Sequence, residues 1–593
     1  MTKTLFGQRG ARSRRPLASK ALTWLVAPAT LLGTGLALTV PPASAASVHA
    51  ASAAPAASVY TALGSSTRIC DTRGASTSSP TNQCSGMTLP AGGTRDVALP
   101  AGASGIPASA TAVVANVTVT NTKAQGFLNV YPTGAPSTTS IIDYTAGQTV
   151  ANLATVQVGS TTTTGTAPVT TPSITIQNGP TNGNGGTADV VVDLEGYYAP
   201  PASVTALTGE YHPLTAARVA DTRCSPSAPS FCGAENISAP NQMATTLTAG
   251  GTQNIQVTGV GGVPSTGVAD VVLNVTETHA TAPSFFTVST TPGTPPAMSS
   301  APTVSNENFA AGETLAAKVI VPVGANGDVT IFNHAGTADA VVDVDGYFSD
   351  STTAATPGSL FTPVAPTRVI GAQGGGVTVA GGDSAFATVT GTNGVPAGAT
   401  AAALDVIDIQ PAQGNFLTVY PSDMHPPVTS DVNWIPANTY NVVPNAAYGT
   451  LSTTAGTANG TTPVPAGSFS VLNGPVGTGS TSVDADLFGY FAPANNSVAV
   501  TATPNTVPHG GATTSTVTAT VTAPAGGSNT NDTVTFTVTG TGCGTVNPTT
   551  GSTGPSGTTV KTTYTAGMTA GTCTVTATES ITGQSGSTTI TQS

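Results

Sequence analysis

The 593 residues include 15 Lys+Arg against 27 Asp+Glu, only 7% charged side chains, 39% hydrophobic residues, 68 glycines and 46 prolines. The length accommodates several domains, each with its own core. So acidic a chain, with so few basic groups, is a poor match for nucleic acid or an anionic membrane surface. Val, Ile, Leu, Tyr and Phe recur at strand spacing, which excludes a disordered polymer. No amphipathic helical period follows the first fifty residues, and Gly, Pro, Thr, Ser and Asn punctuate the short apolar runs. The fold class expected is all-β.

The N-terminus reads as a signal peptide over residues 1–45. Lys3, Arg9, Arg12, Arg14, Arg15 and Lys20 make a basic region, Leu22 to Val40 an apolar run, and Ala43-Ser44-Ala45 a small-residue cleavage site. Ser13-Arg14-Arg15 partly matches a twin-arginine signal, but Pro16 and Ser19 fit it poorly, so general secretion is favoured. Gly33, Gly35, Pro41 and Pro42 argue against a retained anchor, and no second apolar segment has spanning length. Cleavage removes six basic residues and no acidic one, leaving nine against 27, a formal charge of −18. The chain ends Thr589-Ile-Thr-Gln-Ser593 with no apolar tail, so covalent anchoring to a wall is not expected.

An Ala/Ser-rich linker spans residues 46–56, and three homologous segments follow at 57–199, 207–349 and 359–493, the last preceded by a linker at 350–358. They open on Thr-Arg-Ile-Cys-Asp-Thr-Arg from Thr67, Ala-Arg-Val-Ala-Asp-Thr-Arg from Ala217, and Thr-Arg-Val-Ile-Gly from Thr367. Arg68, Arg218 and Arg368 lie 150 residues apart, a period that suits whole domains and is too long for a solenoid unit. Each segment carries a turn (Gly105-Ile-Pro107, Gly262-Val-Pro264, Gly394-Val-Pro396), then a strand such as Gly126-Phe-Leu-Asn-Val-Tyr131 or Asn415-Phe-Leu-Thr-Val-Tyr420. Each closes on Asp-rich alternation ending in Gly and two aromatics, at Ala188–Tyr198, Ala338–Phe348 and Ser482–Phe491. Val190, Val192 and Leu194 then share one face, with Asp189, Asp193 and Glu195 on the other. The third copy lacks Asp-Thr-Arg and both cysteines, and has drifted between Trp434 and Val464. Three β-sandwich-like domains are expected, favoured over closed barrels. Strand order is not fixed by the pattern.

From Ser497 onward strict Thr/Val alternation describes half-buried antiparallel strands with a hydroxyl face outward, over 497–593. Thr501-Ala-Thr-Pro504, Asp532-Thr-Val-Thr-Phe536, Gly544-Thr-Val-Asn-Pro548 and Ala570-Gly-Thr-Cys-Thr-Val-Thr-Ala577 resemble bacterial immunoglobulin-like domains of the invasin and intimin type. The resemblance implies a non-catalytic spacer or adhesive stalk. The three repeats resemble β repeats of large secreted actinobacterial proteins through their Thr-Arg-Val and Asp-Thr-Arg openings, Gly-Val-Pro turn, Phe-Leu-Thr-Val-Tyr-Pro strand and Val-Val-Asp-Val-x-Gly-Tyr-Phe ending. That resemblance implies an extracellular accessory domain and no chemistry of its own.

Three local cysteine pairs, Cys70–Cys84, Cys224–Cys232 and Cys543–Cys573, read as disulfides in an exported chain. Arg68, Asp71 and Arg73, with Arg218, Asp221 and Arg223, could form a fork for a carboxylate or phosphate of a wall polymer. An internal Asp–Arg bridge locking the first strand to its neighbour suits their place beside Cys70 and Cys224 better. Asp339, Asp343 and Asp345 superficially match a calcium loop, the one cofactor the pattern admits, although strand alternation spreads them along what reads as a solvated edge. The paired aromatics (Tyr197, Tyr198, Tyr347, Phe348, Tyr490, Phe491) read as core anchors rather than sugar platforms. Asn116-Val-Thr and Asn274-Val-Thr match a glycosylation acceptor but fall mid-strand. The six histidines are scattered, and no nucleophile elbow, zinc signature or phosphate loop is present. The expected role is a non-catalytic secreted or surface protein acting in adhesion or wall association, with a wall polysaccharide or surface protein as partner. The alternatives are a module binding peptidoglycan or exopolysaccharide, and a hydrolase with a triad invisible in sequence.

Overall fold

The computed structural model describes residues 56–74, 83–99, 105–162, 170–180, 185–201, 208–224, 245–290, 304–350, 358–372, 376–409, 413–435, 442–458, 462–475, 479–493, 496–523, 529–555, 558–580 and 584–593. The expected signal peptide and Cys232 lie outside them. Among the described residues every regular element is a strand. The chain is all-β, as its alternating composition requires.

Each repeat is a sandwich of two antiparallel sheets. In the first, four strands lie in the order Val59–Asp71 (opening), Asp189–Ala199 (closing), Ala112–Thr120 (central) and Val150–Gln157 (axial). The second repeat orders Tyr211–Asp221, Asp339–Ser349, Val268–Thr278 and Thr314–Pro322 in the same way, and the third Leu360–Ile370, Thr481–Ala492, Ala401–Ile409 and Val442–Thr450. A second sheet covers one face. In repeat 1 it runs Thr94–Ala98, Thr170–Pro180, Gly126–Pro132 and Ile142–Tyr144, with Gly159–Thr162 also paired to Thr170–Pro180. Its counterparts in repeats 2 and 3 pair in the same order. Val190, Val192 and Leu194 enter the core between the two sheets, as do Ala340, Val342 and Val344. The aliphatic alternation was therefore read correctly. The other face of the closing strand is not an edge, because that strand sits between the opening and central strands.

The three repeats close on one another in a ring. Backbone N–H groups of Tyr60, Tyr211 and Phe361 donate to the carbonyls of Gly209, Ser359 and Ser58 at 2.9, 2.8 and 2.8 Å. Each repeat thus bonds to the next, and the third returns to the first. The side chains follow the same cycle. Tyr60 packs on Phe348 at 4.6 Å between ring centroids, Tyr211 on Phe491 at 4.3 Å and Phe361 on Tyr198 at 4.2 Å. All six rings are essentially inaccessible, and their contacts follow a pseudo-threefold pattern. The second aromatic of each closing motif is therefore an anchor between repeats as much as within one. The preceding glycine has a steric cause. A Cβ on Gly196, Gly346 or Gly489 would lie 2.3–2.4 Å from the side chain of Tyr60, Tyr211 or Phe361.

Residues 497–593 form their own two-sheet sandwich. One sheet runs Ser497–Thr503, Thr514–Thr522, Thr559–Thr565, Thr545–Asn547, and the other includes Ser585–Gln592, Gly571–Glu579 and Thr533–Thr539. Val517, Ala519 and Val521 are buried while threonines between them face outward. Tyr564 is fully buried and donates its hydroxyl to Gln592 Oε1 at 2.7 Å. Disulfides join Cys70 to Cys84 and Cys543 to Cys573.

Candidate functional site

The arginines that open the repeats turn inward along the sheet. Opening and closing strands are paired so that Arg68 stands opposite Asp193, Arg218 opposite Asp343 and Arg368 opposite Asp486. Arg68 Nε and Nη2 each donate to an oxygen of Asp193 at 2.9 Å, a two-pronged pair repeated by Arg218 with Asp343. Arg368 holds Asp486 and also Asp484. The second arginines do a local job. Arg73 Nε and Nη2 grip both oxygens of Asp71 at 2.9 and 2.7 Å, and the Arg73 backbone N–H donates to the same carboxylate. Arg223 does the same for Asp221. Burial would raise Asp71, but the Arg73 fork and nearby Arg68 outweigh it and hold the carboxyl below its usual range. Arg73 keeps 44% of its side chain exposed and Arg223 23%, so these two guanidiniums reach the surface.

The solvated edge expected for Asp339, Asp343 and Asp345 is corrected by the structure. All three are at least nine-tenths buried: Asp343 and Asp345 face Ser430 and Asp431 of the next repeat, and Asp339 is covered within its own. They also take separate partners. Asp339 accepts from Thr222 and contacts His279, Asp343 accepts from Arg218 and the Ser430 backbone N–H, and Asp345 contacts the Lys318 ammonium. Asn116 and Asn274, the glycosylation matches that fall mid-strand, are 1% exposed and donate to the carbonyls of Ser305 and Ser430 in the following repeat.

A β-bulge sets the chemistry of each junction between repeats. Gly196 pairs with Val114 and Leu194 with Ala115, so Glu195 is the extra residue that the bulge aims outward. Asp345 and Phe488 occupy the same place in repeats 2 and 3. On the axial strands the matching residues are Leu153, Lys318 and Ala446, which pair with Asn116, Asn274 and Asp405. The next repeat contributes Asn306, Asp431 or Ile141, each one residue after the serines Ser305, Ser430 and Ser140.

The three junctions are built alike from different chemistry. Between repeats 2 and 3, Lys318 is completely buried and its ammonium bridges Asp345 and Asp431, the latter at 3.1 Å. Burial alone would lower the lysine pKa, yet the two carboxylates outweigh it and raise it. Between repeats 3 and 1, Phe488, Ala446, Ile141 and Leu153 leave a residual cavity of only ≈10 Å³. Between repeats 1 and 2, Glu195 borders a cavity of ≈470 Å³. It accepts from Ser66 Oγ at 2.8 Å and, at 3.5 Å, from Asn306 Nδ2. Burial pushes this carboxyl up to about 7 despite the Ser66 bond, with Asp193 adding to the rise. The arginine clusters, which the sequence offered as ligand candidates while favouring an internal bridge, do not line this cavity.

The chain matches no known protein-family profile, and a search of curated proteins finds no relative.

Proposed function

We propose that this chain is an exported, non-catalytic surface protein that acts in adhesion or wall association. In this reading the three repeats form one rigid head, and the C-terminal sandwich is a spacer of the invasin and intimin type. The observation that carries it is how the ionisable groups are spent. Arg68, Arg218, Arg368 and Lys318 are engaged by carboxylates within the ring of repeats, and the outward faces of the C-terminal strands are threonine. Such an arrangement suits durability and surface contact. The two disulfides seen among the described residues are compatible with an oxidising compartment, and the scarcity of Lys and Arg leaves few points for trypsin-like proteases.

The test is co-sedimentation of the mature protein with purified wall polysaccharide from an actinobacterium, with and without calcium chelation. Saturable binding supports wall association, and its loss in Arg73→Ala/Arg223→Ala places the contact at the two surface-reaching guanidiniums. Binding lost only on chelation makes the contact calcium-dependent and removes the guanidiniums as its sole basis. Absence of binding, together with no adhesion to protein-coated surfaces, overturns the proposal. Labelling of the secreted protein by a serine-reactive probe would instead support the hydrolase alternative.

A further inference from the structure

Lys318 and Asp345 are placed to react as well as to pair. Both, with Asp431, are 5% exposed or less. The Lys318 ammonium touches one carboxylate oxygen of Asp345 and lies 3.1 Å from Asp431 Oδ1. Each group has its own anchors. The Lys318 backbone N–H donates to Asn445 Oδ1 at 3.1 Å, and Asn445 Nδ2 donates to the Asp431 carbonyl at 2.6 Å. Asp431 Oδ2 accepts the Val419 N–H at 2.7 Å, which leaves Oδ1 facing the lysine. Asp345 stands on the bulge of the closing strand, two strands from Lys318 in the same sheet, so the two side chains meet over the central strand. Burial favours the protonated form of Asp345 against the pull of the Lys318 charge, and Asp431 adds to that rise. At the other two junctions the matching axial residues are Leu153 and Ala446, which offer no amine.

In water an amine and a carboxylic acid do not condense, because both are hydrated ions and bringing them together costs entropy. Folding has already met both costs here. Reactants held in contact behave as though at about 10⁵–10⁸ M, and an amide removes two buried charges that are expensive to keep. We propose that Lys318 and Asp345 condense into an intramolecular amide, with Asp431 relaying the proton. The ammonium first passes one proton to Asp345, giving an amine and a carboxylic acid. Nζ then attacks Cγ, its lone pair forming the C–N bond while the C=O π pair moves to oxygen. Asp431 Oδ1 takes the surplus proton from nitrogen and delivers it to the departing hydroxyl. The C–O bond breaks with its electron pair on that oxygen, the C=O re-forms, and one water leaves. Asp431 ends as the carboxylate it began as. The product ties the axial strand of repeat 2 to its closing strand over a sequence separation of 27. The ion triad is the reactant state, so its stability effects belong to unreacted chain, which its full mass identifies. The inference is independent of the surface-association reading, and either can fail without the other.

The experiment is intact-mass analysis of the full mature chain, with its disulfides reduced and after incubation to constant mass, followed by proteolytic mapping. The chain should be lighter than its sequence by the mass of one water, and mapping should find one branched peptide joining Lys318 to Asp345. Lys318→Met should restore the full mass. That variant also separates the amide from a cyclic imide at Asp345-Gly346, which loses the same water but needs no lysine. Asp431→Asn, which keeps the contact but cannot relay the proton, should slow the mass change about a hundredfold or more. The branched peptide is read on the unsubstituted chain, so the test stands even where a variant fails to fold. Full mass in the unsubstituted chain, a water loss that persists in Lys318→Met, a branch to Asp431 instead of Asp345, or an undiminished rate in Asp431→Asn would each overturn the proposal.

Discussion

Lys318→Met tests how the ring of repeats is held. The side chain is fully buried and its ammonium is shared by Asp345 of its own repeat and Asp431 of the next. Methionine fills a similar volume but leaves two buried carboxylates facing each other without a cation. Removing one partner of a buried ion group costs about 3–5 kcal/mol, since the charge left behind is neither solvated nor paired. The mature chain offers a built-in reporter. Of the two tryptophans only Trp434 follows the signal region. It is buried in repeat 3, three residues from Asp431. Urea unfolding followed by its fluorescence should show a loss of that size. The 3–1 junction supplies a rescue. Lys318→Ala, Asp345→Phe and Asp431→Ile together install the residues found there as Ala446, Phe488 and Ile141, and should restore stability to the starting value or exceed it by about 1–4 kcal/mol. A loss below about 1 kcal/mol for Lys318→Met, measured against the same cost, would refute the claim that this triad is a sealed junction.

Other expectations follow from the same geometry. Burial pushes Glu277 up to about 9, with Glu313 and Asp339 adding like charge. A folded pKa above the unfolded value of about 4.3 means its stabilisation is complete below that pH and is lost as pH rises toward 9. Glu277→Gln should therefore flatten the fall in urea midpoint between about pH 5 and about pH 8.5, and an unchanged slope would contradict the burial argument. Asp71 behaves oppositely. Its carboxyl is held below the usual range, so the Arg73 fork stabilises above about pH 3.9 and is lost on acidification below it. Arg73→Ala should raise the pH at which acid unfolding begins. Cys70→Ser with Cys84→Ser should cost about 3 kcal/mol, the loop entropy of a bridge spanning a sequence separation of 14, measured as a reduced urea midpoint. Mass spectrometry of the exported protein should find no glycan on Asn116 or Asn274, both sealed against the following repeat.

Much of the architecture was legible because it is local. Val190, Val192 and Leu194 alternate as a strand must when one face meets a core, and the repeated Arg and Gly positions marked whole-domain copies. What could not be read was set by neighbours remote in sequence. Asp343 and Asp345 looked like a solvated acidic edge because nothing in their strand announces the opening strand on one side or the next repeat above them. The arginines were correctly suspected as staples, yet the partner of Arg68 lies 125 residues away and pairing depends on strand order. Glu195 was assigned by simple alternation to the face of Asp193. The bulge that makes it an extra residue sits beside Gly196, which lies close against Tyr60, a contact between strands that a single strand cannot reveal. One signal was available and unused. Lys318 stands alone in the apolar stretch Leu315-Ala-Ala-Lys-Val-Ile-Val-Pro322 of a chain nearly empty of lysine, and a cation there must find buried acids.

The claim that matters most is closure, three repeats packed around one aromatic axis rather than strung in a line. Small-angle X-ray scattering of residues 54–493 addresses it directly. Closed packing predicts a radius of gyration near ~22 Å, the value for a compact body of that length. A linear string of three such domains would give roughly 33 Å from the same scaling, and a value there would contradict the ring.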